Sequence, residues 1–234
     1  MVVLEDKIYL HFQKTGGLSV YRVIDNLRLK KLWFREHCGI MNLPEEFRHL
    51  RRFSFIRNPY EWYVSYYHFH LNGYLNKKEH WINPFLIPLA GDSPDFRKFI
   101  KNSCNLKSYF QDNPDRHELL FEIIEEVFRN RPRIWINKWF KDTANVREEL
   151  SLDNLDMSLM EWYMNVIGLF EDNTTIYKME HFDESLEKEF GPIERVPHLH
   201  TSLHKKYQYY YDTTLVDTVG ESHAYVLDKY DYKF

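Results

Sequence analysis

One short junction constrains this chain more than any other feature: Gln13-Lys14-Thr15-Gly16-Gly17-Leu18-Ser19, set between two runs of different periodicity. Before it, Ile8, Leu10 and Phe12 alternate with Tyr9 and His11, the period-two pattern of a strand over residues 7–12. After it, Val20, Val23, Ile24 and Leu27 recur at helical spacing, with Ser19 placed to cap the helix. The reading is strand, tight loop, helix. Successive backbone N–H groups in such a loop face outward, and the helix start adds about half a positive charge, so the junction suits an anion. Lys14 adds a full charge, Gly16 and Gly17 allow close backbone approach, and Thr15 and Ser19 carry hydroxyls.

The same grammar returns at Arg52–Ile56, a β-prone run that leads through Arg57, Asn58 and Pro59 into an aromatic helix over 60–69. Asn58 suits an N-cap and Pro59 the first helical position, which needs no N–H. Two such units predict an α/β chain with a central parallel sheet flanked by helices, its ligand loops at the carboxyl edge of the strands. Lys14 and Arg57 would then share that edge. Further helices are expected around 96–100, 119–128, 159–166, 183–190 and 213–228, and a strand at 175–179. At 234 residues and 44% apolar, the chain reads as a single domain over 1–234 with a substantial core. Residues 72–95, rich in Gly and Pro, are the least regular stretch and read as an acceptor-side loop.

Other patterns remove alternatives. The lysine precedes the glycine pair rather than opening the helix as in a Gly-Lys-Ser/Thr loop, and there is no GxGxxG fingerprint, which disfavours nucleotide hydrolases and dinucleotide enzymes. A net charge of −4 argues against a general nucleic-acid binder, so a polyanion would need a local patch. Arg48, Arg51, Arg52 and Arg57, backed by Lys30, Lys31 and Arg35, are the candidates. Cys38 and Cys104 form no CxxC pair, and His198, His200 and His204 lack a completing ligand, so no metal site is expected. With no leader-like start and no 18-residue apolar run, we expect a soluble, cytoplasmic protein.

The segments HFQKTGGLS and FSFIRNPYEWYVSYYHF resemble the two donor-binding motifs of the carbohydrate sulfotransferase families, and YKMEHFDESL and the run from His198 to the C-terminus are similar to their final third. The resemblance implies a P-loop-like three-layer fold and transfer of a sulfuryl group from 3′-phosphoadenosine 5′-phosphosulfate to a hydroxyl, most naturally of a carbohydrate. It implies that Lys14, Thr15, Gly16, Gly17, Leu18 and Ser19 hold the 5′-phosphosulfate, and Arg57 and Ser65 the 3′-phosphate. Gln13 stands where those families usually have proline, and Leu18 where they have threonine. Lys14 would stabilise the leaving phosphate and His37, with Glu36 and His49 as fallbacks, would take the acceptor proton. His68 and His70, two apart, cannot both face the acceptor, and Thr201, Ser202 and Lys205 are further donor contacts by resemblance. Two other readings remain open: a non-catalytic nucleotide binder, and a nucleoside-triphosphate phosphotransferase needing a Mg²⁺ carboxylate.

Overall fold

A computed structural model describes residues 1–35, 38–76, 84–130, 143–197, 199 and 204–234. The chain divides into two compact units, one formed by Met1–Arg57 with Tyr163–Thr201 and the other by Asn58–Trp162 with Ser202–Phe234.

The first unit is an α/β sandwich. Its strands are β1 (Val2–Val3), β2 (Lys7–Tyr9), β3 (Trp33–Phe34), β4 (Arg51–Ile56) and β5 (Thr174–Lys178), with helix α1 (Gly17–Asn26) following β2. The order across the sheet is β3-β1-β2-β4-β5. The β2, β4 and β5 strands are parallel, whereas β1 pairs antiparallel with both β2 and β3. The sheet is therefore mixed where the sequence pattern suggests an all-parallel one. The reason is local. Val3 and Ile8 sit opposite each other with only Leu4 to Lys7 between them, a turn closed by the Leu4 N–H on the Lys7 carbonyl at 2.8 Å, and a connection that short can only join antiparallel strands.

Both faces of the sheet are buried. On one, Tyr9, Phe53 and Phe55 meet Val20, Val23 and Ile24 of α1 and Phe182 and Leu186 of the Phe182–Phe190 helix. On the other, Ile8 and Leu10 meet Cys38 and Leu43 from the turns that follow β3. Burial on both faces explains why residues 8–12 are all buried, His11 included, although only every second one is aliphatic or Phe. Glu189 ties the 182–190 helix to the strands: Arg51 lies 2.9 Å from its carboxylate, the Tyr177 hydroxyl donates to it at 2.9 Å, and Lys7 donates to its backbone carbonyl at 2.5 Å.

The second unit is helical among its described residues, and begins with α2 (Pro59–Leu75). Asn58 caps α2 by accepting the Tyr60 N–H at 3.2 Å, and Pro59 takes the first helical position, as the sequence predicts. Trp62, Tyr63 and Tyr66 are fully buried, with Tyr63 and Tyr66 packed on Phe99. The single helix expected over 213–228 is instead two, Thr213–Ser222 and Ala224–Lys229, broken at His223. Among the described residues no helix is long and apolar enough to cross a membrane.

Candidate functional site

The loop after β2 has the backbone form of an anion cradle. Lys14 and Gly16 both take left-handed backbone conformations, with φ of 63° and 71°. Alternating hands in this way turn consecutive N–H groups towards one concavity, an arrangement that receives anions elsewhere. Glycine tolerates positive φ; lysine does so at a cost of about 1 kcal/mol, strain of the kind that collects at functional sites. The cradle runs straight into α1, whose first residue is Gly17 and whose N-cap is Gly16, with no side chain acting as cap. Among the described residues, no backbone carbonyl accepts the N–H of Thr15, Gly16, Gly17 or Leu18, whereas those of Ser19 and Val20 are already bonded to the Gly16 carbonyl at 2.9 and 3.1 Å. Four donors thus stand at the positive end of a helix.

The side chains of the loop divide in function. Thr15 is buried and donates to the Phe12 carbonyl at 2.6 Å, so its hydroxyl proton braces the loop instead of facing outward. Ser19 lies in the first turn of α1, not at its cap, and its buried oxygen accepts the Leu199 N–H at 3.0 Å. That bond anchors the segment after the 182–190 helix to the loop. Leu18 points outward and is exposed, and Gln13 is buried. A Cβ on Gly16 would press against the Phe182 ring at 3.0 Å.

Two cations meet here. Arg57 follows β4, and because β2 and β4 are adjacent and parallel it arrives beside the loop, its Nη1 3.4 Å from the Lys14 carbonyl. Burial, and then the neighbouring Arg57 charge, hold the half-buried Lys14 ammonium down from 10.5 to about 7. A bound anion would oppose both effects. The other arginines of the expected basic patch are spent on structure. Arg48 pairs with Glu45 at 3.0 Å, Arg51 with Glu189, and Arg52 with Glu171 at 2.7 Å.

Ser65 belongs to the second unit, buried on α2. One turn on, His68 is half-buried, its ring near His204 at 5.8 Å between centroids and near Tyr210 at 4.7 Å, and burial and His204 lower its pKa. His70 is buried against Tyr66, so the two histidines do face differently. His49 and Lys205 are exposed. His37 and Glu36 lie outside the described residues, as do His198, His200, Thr201 and Ser202. Among the described residues no group of three or more His, Cys, Asp or Glu is arranged to hold a metal ion.

One residue that sequence reasoning passes over shapes the loop. A Cβ on Gly17 would fall inside the His11 imidazole. The ring is held there by the Tyr21 hydroxyl, 3.0 Å from Nδ1, and lies near-parallel to Tyr9 with centroids 6.0 Å apart. Gly17 is thus required by a packed histidine beneath the helix start. The one sequence signal is a polar residue at an inward position of a strand that ends in the loop.

The fold and loop together define an α/β protein with a glycine-bearing loop, Lys14 and Arg57 at the carboxyl edge of its parallel strands. Comparison with family models, curated proteins and solved structures finds no match.

Proposed function

We propose that the chain is a sulfotransferase that moves a sulfuryl group from 3′-phosphoadenosine 5′-phosphosulfate to an acceptor hydroxyl, with a carbohydrate as the acceptor class and a P-loop-like fold as its frame. The observation that carries this reading is the cradle itself: four N–H donors, two left-handed residues and the Lys14–Arg57 pair at one loop. The order of the loop, with lysine ahead of the glycines, favours a phosphosulfate over a nucleoside triphosphate. The class of donor and acceptor rests on the sequence resemblance.

In this reading the loop N–H groups and Lys14 bind the 5′-phosphosulfate and take up the charge that develops on its phosphate as the sulfur–oxygen bond to it breaks. The acceptor oxygen forms the new bond to sulfur in line with that departure, and a base, His37 by resemblance, takes its proton. Sulfated acceptor and 3′-phosphoadenosine 5′-phosphate leave. A group aimed at a developing oxyanion contributes on the order of 10²–10³ in turnover, which is the loss expected for Lys14→Ala. Ser65 keeps its assignment to the 3′-phosphate by resemblance alone.

The test is thermal stabilisation by 3′-phosphoadenosine 5′-phosphate against ATP with Mg²⁺. A ligand at 100 times its Kd adds about 2.7 kcal/mol, and Lys14→Ala and Arg57→Ala should remove most of that gain. Preference for ATP, or indifference to both, overturns the reading. Transfer of labelled sulfate to a glycan panel then separates an enzyme from a silent binder, and undiminished transfer by His37→Ala removes that residue as the base.

A further inference from the structure

The nine residues from Leu27 to Arg35, Leu-Arg-Leu-Lys-Lys-Leu-Trp-Phe-Arg, are four cations and five apolar residues with nothing else among them. They link α1 to the sheet edge and take no part in the anion cradle. Their backbone is ordered. The Leu27 N–H bonds the Val23 carbonyl at 3.0 Å, Arg28 turns through a left-handed conformation at φ 52°, and the Leu29 N–H returns to the Ile24 carbonyl at 3.1 Å, closing the helix end. The Leu32 N–H then bonds the Val3 carbonyl at 2.9 Å and starts β3, an edge strand of the sheet. In this fixed frame the apolar side chains face water: Leu27, Leu29, Leu32 and Phe34 are 36%, 37%, 40% and 48% exposed. Arg28 and Lys30 are exposed beside them, while Lys31 pairs with Asp25 at 2.5 Å and lies 5.3 Å over the Phe34 ring.

We propose that this turn and edge strand form a docking surface for an anionic lipid bilayer, independent of the nucleotide reading. Charge decides the partner's sign. The chain as a whole carries −4, so setting aside these four positive charges leaves −8 on the rest, and a negative surface attracts the protein through this face. The exposed leucines and Phe34 decide its nature. A nucleic acid or soluble polyanion would use the cations and leave those side chains in water, whereas the headgroup boundary of a bilayer takes apolar groups and cations together.

Co-sedimentation of the full chain with vesicles tests this, using phosphatidylcholine with about one-third phosphatidylserine against phosphatidylcholine alone. The wild type binds the anionic vesicles and not the neutral ones, and binding falls with salt. Each cation near such a surface is worth about fivefold in affinity, so Lys30→Glu, which removes one charge and adds its opposite, weakens binding more than tenfold. Leu29→Ser/Leu32→Ser does the same by removing apolar contact. All three side chains are exposed, so unchanged circular dichroism and melting temperature establish that the variants fold. Failure of the wild type to bind anionic vesicles overturns the proposal. So does undiminished vesicle binding by the leucine variant together with competition by heparin or RNA, which would make the face a polyanion site. A doubled mass by light scattering that disappears in the leucine variant, without lipid binding, would assign the face to a second copy of the chain instead.

Discussion

Replacing Lys14 by Met should make the ligand-free protein more stable at neutral pH, and the size and pH dependence of the gain follow from the loop. Methionine keeps an unbranched stem and bears the same left-handed strain at φ 63°, so the backbone contribution cancels in the comparison. In the fold the ammonium is lowered from 10.5 to about 7, first by burial and then by Arg57. The unfolded chain therefore binds the extra proton throughout pH 7 to 10.5, and the wild type gains stability as pH rises across that window. At about 1.36 kcal/mol per unit, the full shift corresponds to roughly 4–5 kcal/mol. Water reaching the half-buried group screens it, which leaves about 2 kcal/mol of destabilisation at pH 7. Urea unfolding of both proteins at pH 7, 8 and 9 reads this directly. With a slope near 2 kcal/mol/M, the variant's midpoint lies about 1 M higher at pH 7, and the gap closes as pH rises. A variant no more stable than the wild type, or a gap that does not change with pH, refutes the placement of a strained, repelled cation in the cradle.

The same electrostatics predict that 3′-phosphoadenosine 5′-phosphate binds with proton uptake: its Kd, followed by calorimetry in buffers of different ionisation enthalpy, should rise towards tenfold per pH unit above about 7 and be nearly pH-independent in Lys14→Arg. Gly17→Ala should lose about 3 kcal/mol or more because its Cβ enters the His11 ring, and His11→Ala/Gly17→Ala should recover much of that loss; additive effects in a double-mutant cycle of denaturant melts would rule out the contact. His223, fully buried and held at about 3 by burial, is neutral in the fold, so stability should fall as pH drops from about 6.5 towards 3, and His223→Phe should flatten that part of the acid-unfolding curve while losing the 3.0 Å bond to the Tyr63 hydroxyl. Glu189→Gln should cost about 3–5 kcal/mol by thermal melts, since Lys7 and Arg51 converge on it from two adjacent strands, and a change below 1 kcal/mol would show the network to be dispensable.

Patterns short enough to act through neighbouring residues were legible without coordinates. The β2–loop–α1 junction, the Asn58 cap with Pro59 behind it and the apolar stripe of α1 depend on periodicity and backbone chemistry within a few residues, and the structure has them in place. The stripe's last member, Leu27, is the exception: it falls at the helix end and is exposed. Ser19 was legible as a helix-start residue but not in its partner, because Leu199 lies 180 residues away.

Spacing and residue type encode, within short windows, a strand that ends in a glycine-bearing loop carrying Lys14 and a second strand that ends at Arg57. The folded chain brings the two cations together and pairs Arg51 with Glu189 and Arg52 with Glu171, partners 138 and 119 residues away. It also sets β3 antiparallel to β1 at the sheet edge, some thirty residues further along the chain. Each of these is a pairing between residues distant in sequence or a choice of strand direction. Such choices are settled by which arrangement buries the most apolar surface and leaves the fewest polar groups without partners, a property of the whole fold that no local window contains.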